Sequence, residues 1–137
     1  MSIVQTQTTS FKAELYQGVH NLTSNTLKMA LYTANADLNA DTTVYSSTNE
    51  VTGTGYVAGG VQMTGITIQT SGYTVYVNFN NVAFNASVTA RCALIYNASQ
   101  GNKSIAVLDF GSDKTSTNFT VTMPQNTATS ALIRSSN

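Results

Sequence analysis

Phe11, Leu15, Val19 and Leu22 recur at helical spacing near the start of the chain, and after Leu27 that period gives way to alternation. The first pattern predicts one short helix from Phe11 to His20. Ser10 stands as its N-cap, Glu14 lies in the first turn where the helix dipole favours a carboxylate, and Asn21 is the stop. Gly18 weakens its second half. Ahead of it, residues 1–10 are polar and rich in Gln and Thr, with Ile3 and Val4 as the apolar anchors, which predicts an extended arm that docks on a neighbour or stays free.

The alternating part reads as a succession of strands. Leu27 to Thr33 is the first, and the polar stretch Ala34 to Thr54 after it has the features of a long surface loop. Gly53, Gly55, Gly59 and Gly60 surround Tyr56 and Val57. The segment that follows, Val61 to Ile68, reads as strand and not as the helix a dinucleotide fingerprint needs, so these are turn or bulge glycines. Ser71-Gly72 marks a hairpin turn, and beyond it Val75, Val77 and Phe79 face one way while Thr74, Tyr76 and Asn78 face the other. Thr89 to Tyr96 and Ser104 to Phe110 are more continuously apolar, as strands covered on both faces are, and the turn residues of Asn97 to Lys103 join them into the expected core hairpin. Phe119, Val121 and Met123 alternate up to Pro124, and Ala131 to Arg134 is a short last strand. The sum is an all-β chain: an antiparallel β-sandwich or small barrel of about seven strands with one short N-terminal helix across an open end or edge. Its organisation is an arm over residues 1–10 and a single β-rich domain over 11–137.

Composition then restricts what such a module can do. Fifty of the 137 residues are Thr, Ser or Asn, against six Lys plus Arg and six Asp plus Glu. With no net field to attract a polyanion or an anionic bilayer, neither nucleic acid nor membrane is an expected partner. A near-neutral surface gives weak colloidal repulsion, which suits a subunit of an assembly better than a free monomer. The chain's first residues hold no basic cluster and no apolar core of a secretory signal, so folding in the cytoplasm is expected.

Few residues are suited to chemistry. His20 is the one imidazole, which rules out His-pair metal motifs; near a helix end it is expected to sit as a donor beside the last carbonyls. Cys92 is the one thiol and reads as a small buried hydrophobe. Among Asp37, Asp41, Glu50, Asp109 and Asp113 no spacing singles out an acid–base pair. Asp37 and Asp41 alternate with Asn35 and Asn39 like calcium ligands but lack the glycine and terminal glutamate of an EF-hand loop, and Asp109 is placed to meet Arg91 or Lys103 across the hairpin. The expectation is no enzyme, no catalytic residue, no metal and no cofactor. Tyr32, Tyr45, Tyr56, Tyr73, Tyr76 and Tyr96 have more to offer, since an amphipathic ring can anchor an interface or stack on a sugar; Tyr45 and Tyr56, in loops, are the first to consider.

Four blocks taken together resemble a group of tailed-bacteriophage virion proteins: Ser10-Phe-Lys-Ala-Glu-Leu-Tyr-Gln-Gly-Val-His-Asn21, Lys28-Met-Ala-Leu-Tyr-Thr33, Asn49-Glu-Val-Thr-Gly-Thr-Gly-Tyr-Val-Ala-Gly-Gly60, and Thr89-Ala-Arg-Cys-Ala-Leu-Ile-Tyr-Asn97 running on to Val107-Leu-Asp-Phe-Gly-Ser-Asp-Lys114. The likeness spans nearly the whole chain, departing at Cys92, where the group more often carries Gly. It implies a structural component of the virion, made in the host cytoplasm. The first expectation is a capsid decoration (cement) protein that stabilises the shell as a homo-oligomer, with a trimer as the expected form, bound to the major capsid protein or another virion protein. The alternative is a tail or head-fibre appendage that binds a host surface glycan. The expected protein-interface residues are Ile3, Val4, Gln5 and Thr6 of the arm, with Tyr45 and Tyr56 of the loop.

Overall fold

A strand that is apolar on both sides has to be covered on both sides, and the whole architecture is arranged around one such hairpin. The computed structural model describes residues 2–136; Met1 of the expected arm and Asn137 of the expected domain lie outside the described residues. In chain order the elements are β1 (Thr6–Gln7), α1 (Thr9–Tyr16), β2 (Leu27–Tyr32), β3 (Val61–Gln62), β4 (Thr67–Ser71), β5 (Thr74–Asn78), β6 (Val82–Ala83), β7 (Val88–Asn97), a 3₁₀ turn at Ala98–Gln100, β8 (Lys103–Ser116), β9 (Thr120–Val121) and β10 (Arg134–Ser135). They form a five-stranded antiparallel sheet in the order β1-β8-β7-β2-β3, a three-stranded sheet β10-β5-β4 and a two-stranded ladder β6-β9. These sheets do not close on themselves, so of the two expected architectures the chain adopts the sandwich and not the barrel.

The expected core hairpin is its centre. β7 and β8 pair from Val88↔Ser116 to Asn97↔Lys103, with irregularities between Ala90 and Cys92 and between Ile95 and Tyr96. Alternate residues serve the two faces. Leu27, Met29, Leu31, Ala93, Ile95, Ala106 and Leu108 look inward to the second layer, which contributes Met63, Val77, Phe79, Phe84, Phe119, Val121 and Ile133. Ala30, Tyr32, Cys92, Leu94, Tyr96 and Val107 look the other way and pack under Ala36 and Leu38 of the long loop, with Ile3 and Tyr45 against them. No strand among the described residues covers this outer face. Loop and arm do it instead.

The arm accordingly lies on its own domain. Thr6 and Gln7 pair with Val107 and Ala106 as the edge strand β1, the Val4 N–H donates to the Leu38 carbonyl, and the Asp109 N–H donates to the Gln5 side chain. Helix α1 starts earlier than the apolar spacing suggests. Its N-cap is Thr8 and not Ser10: the Thr8 hydroxyl accepts from the Phe11 N–H at 3.3 Å, while the Ser10 hydroxyl meets that of Ser104. The helix ends at Tyr16 and not His20, because Gly18 at φ 73 closes it; the Val19 N–H returns to the Glu14 carbonyl and the Gly18 N–H to that of Leu15, a Schellman arrangement. Glu14 therefore lies near the end of the helix, and of the helical stripe Phe11 and Leu22 are buried while Leu15 is left exposed.

The count of strands exceeds the expected seven because some are too short to carry a period. β1 and β6 are two residues long. The single run expected from Val61 to Ile68 is broken into β3 and β4, where Gly65 at φ 69 lets the chain turn out of one sheet and into the other. Elsewhere glycine permits close approach. A Cβ on Gly60 would lie 1.7 Å from the Met29 carbonyl oxygen, and its φ is +82. Gly60→Ala is therefore expected to destabilise the fold by about 3 kcal/mol, read as a lowered urea midpoint, whereas Gly111→Ala, with open space around it, loses only about 1 kcal/mol to its left-handed backbone.

Candidate functional site

The loop that covers the outer face is irregular, so its shape has to be held by side chains. Glu50, bridged to Tyr32 at the edge of β2, is the centre of that hold. Its Oε1 accepts from the Tyr45 hydroxyl at 2.6 Å, and its Oε2 accepts from the Tyr56 hydroxyl at 2.5 Å and from the Gly59 N–H at 2.8 Å. The Tyr56 hydroxyl in turn accepts from the Leu31 N–H at 3.0 Å, which ties the loop to β2. Tyr96 of β7 donates to the Gly59 carbonyl at 2.6 Å, and Tyr32 donates to the Ser46 carbonyl at 2.6 Å. The Tyr45 ring stacks on that of Tyr96 with centroids 4.7 Å apart.

Burial pushes Tyr32, Tyr45, Tyr56 and Tyr96 above the ordinary tyrosine range, and the neighbouring Glu50 carboxylate adds to the effect in each. They remain protonated donors at neutral pH. The geometry is that of a clamp: short, charge-assisted bonds from phenols to a carboxylate, each closing a turn of otherwise unsupported backbone.

A second polar knot holds the arm and the start of the loop. The buried Ser104 hydroxyl meets Thr8 Oγ1 at 3.0 Å and the Thr42 carbonyl at 2.7 Å, and the Thr8 and Ser104 N–H groups donate to the Ile105 and Thr43 carbonyls. His20 belongs to a third. Instead of sitting beside the last helical carbonyls, as expected, its Nε2 lies 2.8 Å from the Glu14 carboxylate and its Nδ1 lies 3.0 Å from the Asn97 amide nitrogen. Asn97 Oδ1 accepts from the Ser99 N–H and its Nδ2 donates to Asn25, so the amide orientation is determined and Nδ1 of His20 is the acceptor.

The interface residues expected from the sequence thus fall into two groups. Tyr45 and Tyr56 come together on Glu50 with their hydroxyls turned inward and their rings part-buried. In the arm, Ile3 packs beneath the loop beside Leu38 and Thr6 is in a ladder, while Val4 and Gln5 are exposed. The residue that organises the site, Glu50, was legible only as one of several acidic side chains. Its position midway between Tyr45 and Tyr56 was the available signal.

The other candidate chemistry is occupied by structure. Cys92 is fully buried, and burial pushes its thiol from 9.0 to about 12. Asp109 meets Arg91, at 3.3 Å, and also accepts from the Gly111 N–H. Asp37 accepts from Asn39 and from the Ser2 N–H, and the Asp41 N–H donates to Asn39, which are turn-forming contacts. Among the described residues no three His, Cys, Asp or Glu side chains gather as metal ligands, and no helix is long and apolar enough to cross a membrane. Comparison with known proteins found no matching family model, no matching curated protein and no matching solved structure.

Two outcomes follow from the clamp. Tyr56→Phe leaves the Leu31 N–H without its partner and is expected to cost about 2 kcal/mol, while Tyr45→Phe, nearer solvent, costs about half as much; urea midpoints of the two variants check the order. The raised phenols and thiol also predict alkaline sensitivity. The unfolded chain releases the Cys92 proton near 9.0 while the folded chain holds it to about 12, so this contribution is whole below pH 9 and is lost as pH rises between those values, with the tyrosines acting in the same direction. Unfolding free energies measured across that window should fall steadily, and less steeply in Cys92→Ala.

Proposed function

We propose that the chain is a structural component of a tailed-bacteriophage particle, a capsid decoration protein that stabilises the shell by binding the major capsid protein. The observation that carries this reading is the covered outer face. Arm and loop are fastened to the sheet by Glu50, Ser104 and the β1 ladder, and they present Val4 at 48 % and Val44 at 49 % exposure, with Val57 at 72 % in the glycine-rich turn that follows the loop. Apolar side chains on segments that are already ordered can meet a partner without a further entropy cost for ordering the backbone. The near absence of net charge and the hydroxyl- and amide-rich surface support a role in packing against other proteins, and the resemblance to virion proteins supports the particle as the place.

Many copies bridging neighbouring capsid subunits would gain avidity from individually weak contacts. The glycan-binding appendage draws less support, because the loop tyrosines that would stack on a sugar already stack on other rings, Tyr45 on Tyr96 and Tyr56 on Phe84.

Deleting residues 1–10 would remove the buried Thr8 cap and disturb the fold. The sharper test replaces the exposed side chains: the triple variant Val4→Asp, Val44→Asp, Val57→Asp should keep the parent's melting temperature within about 2 °C. It should also fail to rebind capsids stripped of the protein. Unchanged occupancy on such capsids would sink the reading.

A further inference from the structure

Sheet edges in soluble proteins are normally blunted, by shortness, by charge or by proline, because an open row of N–H and C=O groups recruits another strand. In the five-stranded sheet the edge strands β1 and β3 are two residues long, and the free part of β8 beyond β1 carries Asp113 and Lys114. The edge strand β4 is different. Its five residues, Thr67-Ile-Gln-Thr-Ser71, are all exposed and include no charge and no proline.

The hairpin geometry says which groups are open. Ser71 pairs with Thr74 across the two-residue turn Gly72-Tyr73, with Gly72 at φ 59, so Ser71, Gln69 and Thr67 exchange backbone bonds with β5. Opposite Ile68, the Val77 N–H points away to the Ile133 carbonyl, which places Ile68 and Val77 in a non-hydrogen-bonded pair. The N–H and C=O groups of Ile68 and Thr70 therefore point outward, and no backbone group among the described residues pairs with them.

We infer that β4 pairs antiparallel with β4 of a second copy of this chain about a two-fold axis through Gln69, joining two three-stranded sheets into one. In this register Ile68 of each copy lies opposite Thr70 of the other, so each outward N–H and C=O finds its counterpart in the same residues of the second copy. Gln69 meets itself at a non-hydrogen-bonded position, where an amide can both donate and accept. A second copy is the fitting occupant because the strip is self-complementary and uncharged, so no like charges oppose across the axis. On one face Ile68, at 47 % exposure, and Val75, at 43 %, continue into a groove of about 430 Å³ with Leu15, Leu22, Val77 and Ile133, and pairing extends that apolar strip with its equal from the partner. The inference stands on the strand edge and is independent of where a particle would hold the protein.

A cysteine placed on the axis reads the pairing directly. At a non-hydrogen-bonded antiparallel position the Cα atoms lie about 4.5 Å apart, within disulfide reach. Under mild oxidation of the purified full chain, Gln69→Cys is expected to give a covalent dimer linked through position 69, about tenfold faster than the exposed off-edge control Thr117→Cys, a factor equal to ~1.4 kcal/mol. Ile68→Lys in the Gln69→Cys background should return the rate to the control's. Thr70→Pro, which removes an outward N–H and no bond to β5, should do the same, and circular dichroism of each variant selects those that fold. Equal rates for Gln69→Cys and Thr117→Cys would overturn the pairing. So would a rate that neither folded edge variant lowers.

Discussion

The structure depends on keeping both faces of the β7–β8 hairpin dry. One face is closed by a second layer of sheet, where backbone polar groups are satisfied by ladders. The other is closed by an arm and a loop, which have few ladders of their own. Backbone brought against an apolar surface without regular pairing leaves N–H and C=O groups in search of partners, at a cost of about 1–3 kcal/mol for each one left unmet. That requirement explains why phenols, hydroxyls and one carboxylate are concentrated on this side of the molecule.

Glu50 meets the requirement economically. One carboxylate accepts hydrogen bonds from two phenols and a backbone N–H, and the phenols are rigid enough to hold their positions with little loss of side-chain entropy. Because Tyr96 and Tyr32 reach out from the sheet while Tyr45 and Tyr56 reach in from the loop, the clamp joins the two. The loop is thereby fastened to the sheet at several points along its length.

Much of the fold was legible in the residues. Most of the expected strands have a counterpart, although the last, expected over Ala131 to Arg134, forms only at Arg134–Ser135, and the core hairpin appears where continuous apolar runs placed it, because two-sided burial leaves a pattern that does not depend on what does the covering. The departures are local contests between neighbours. Thr8 takes the cap from Ser10 because Ser10 is engaged with Ser104, ninety-four positions away in the chain. Gly18 ends the helix before the apolar stripe does, and Gly65 splits a run that alternation alone would keep whole. The candidate site was far less legible. Tyr45 and Tyr56 stood out as loop aromatics, but the direction of a phenol is decided by what lies beneath it.

The amino-acid sequence by itself determined the class of fold, the two-sided burial of the central strands and the shortage of reactive groups, since each follows from local period and composition. Tertiary structure alone decided that the arm returns to its own sheet, that Glu50 gathers the Tyr45 and Tyr56 phenols while Tyr32 and Tyr96 reach loop carbonyls from two strands, that His20 is held between Glu14 and Asn97, and that β4 is left with an open, uncharged edge. Those outcomes are contacts between residues far apart in the chain. They are selected by which polar groups the folded surface leaves unpaired, a quantity that no stretch of sequence carries on its own.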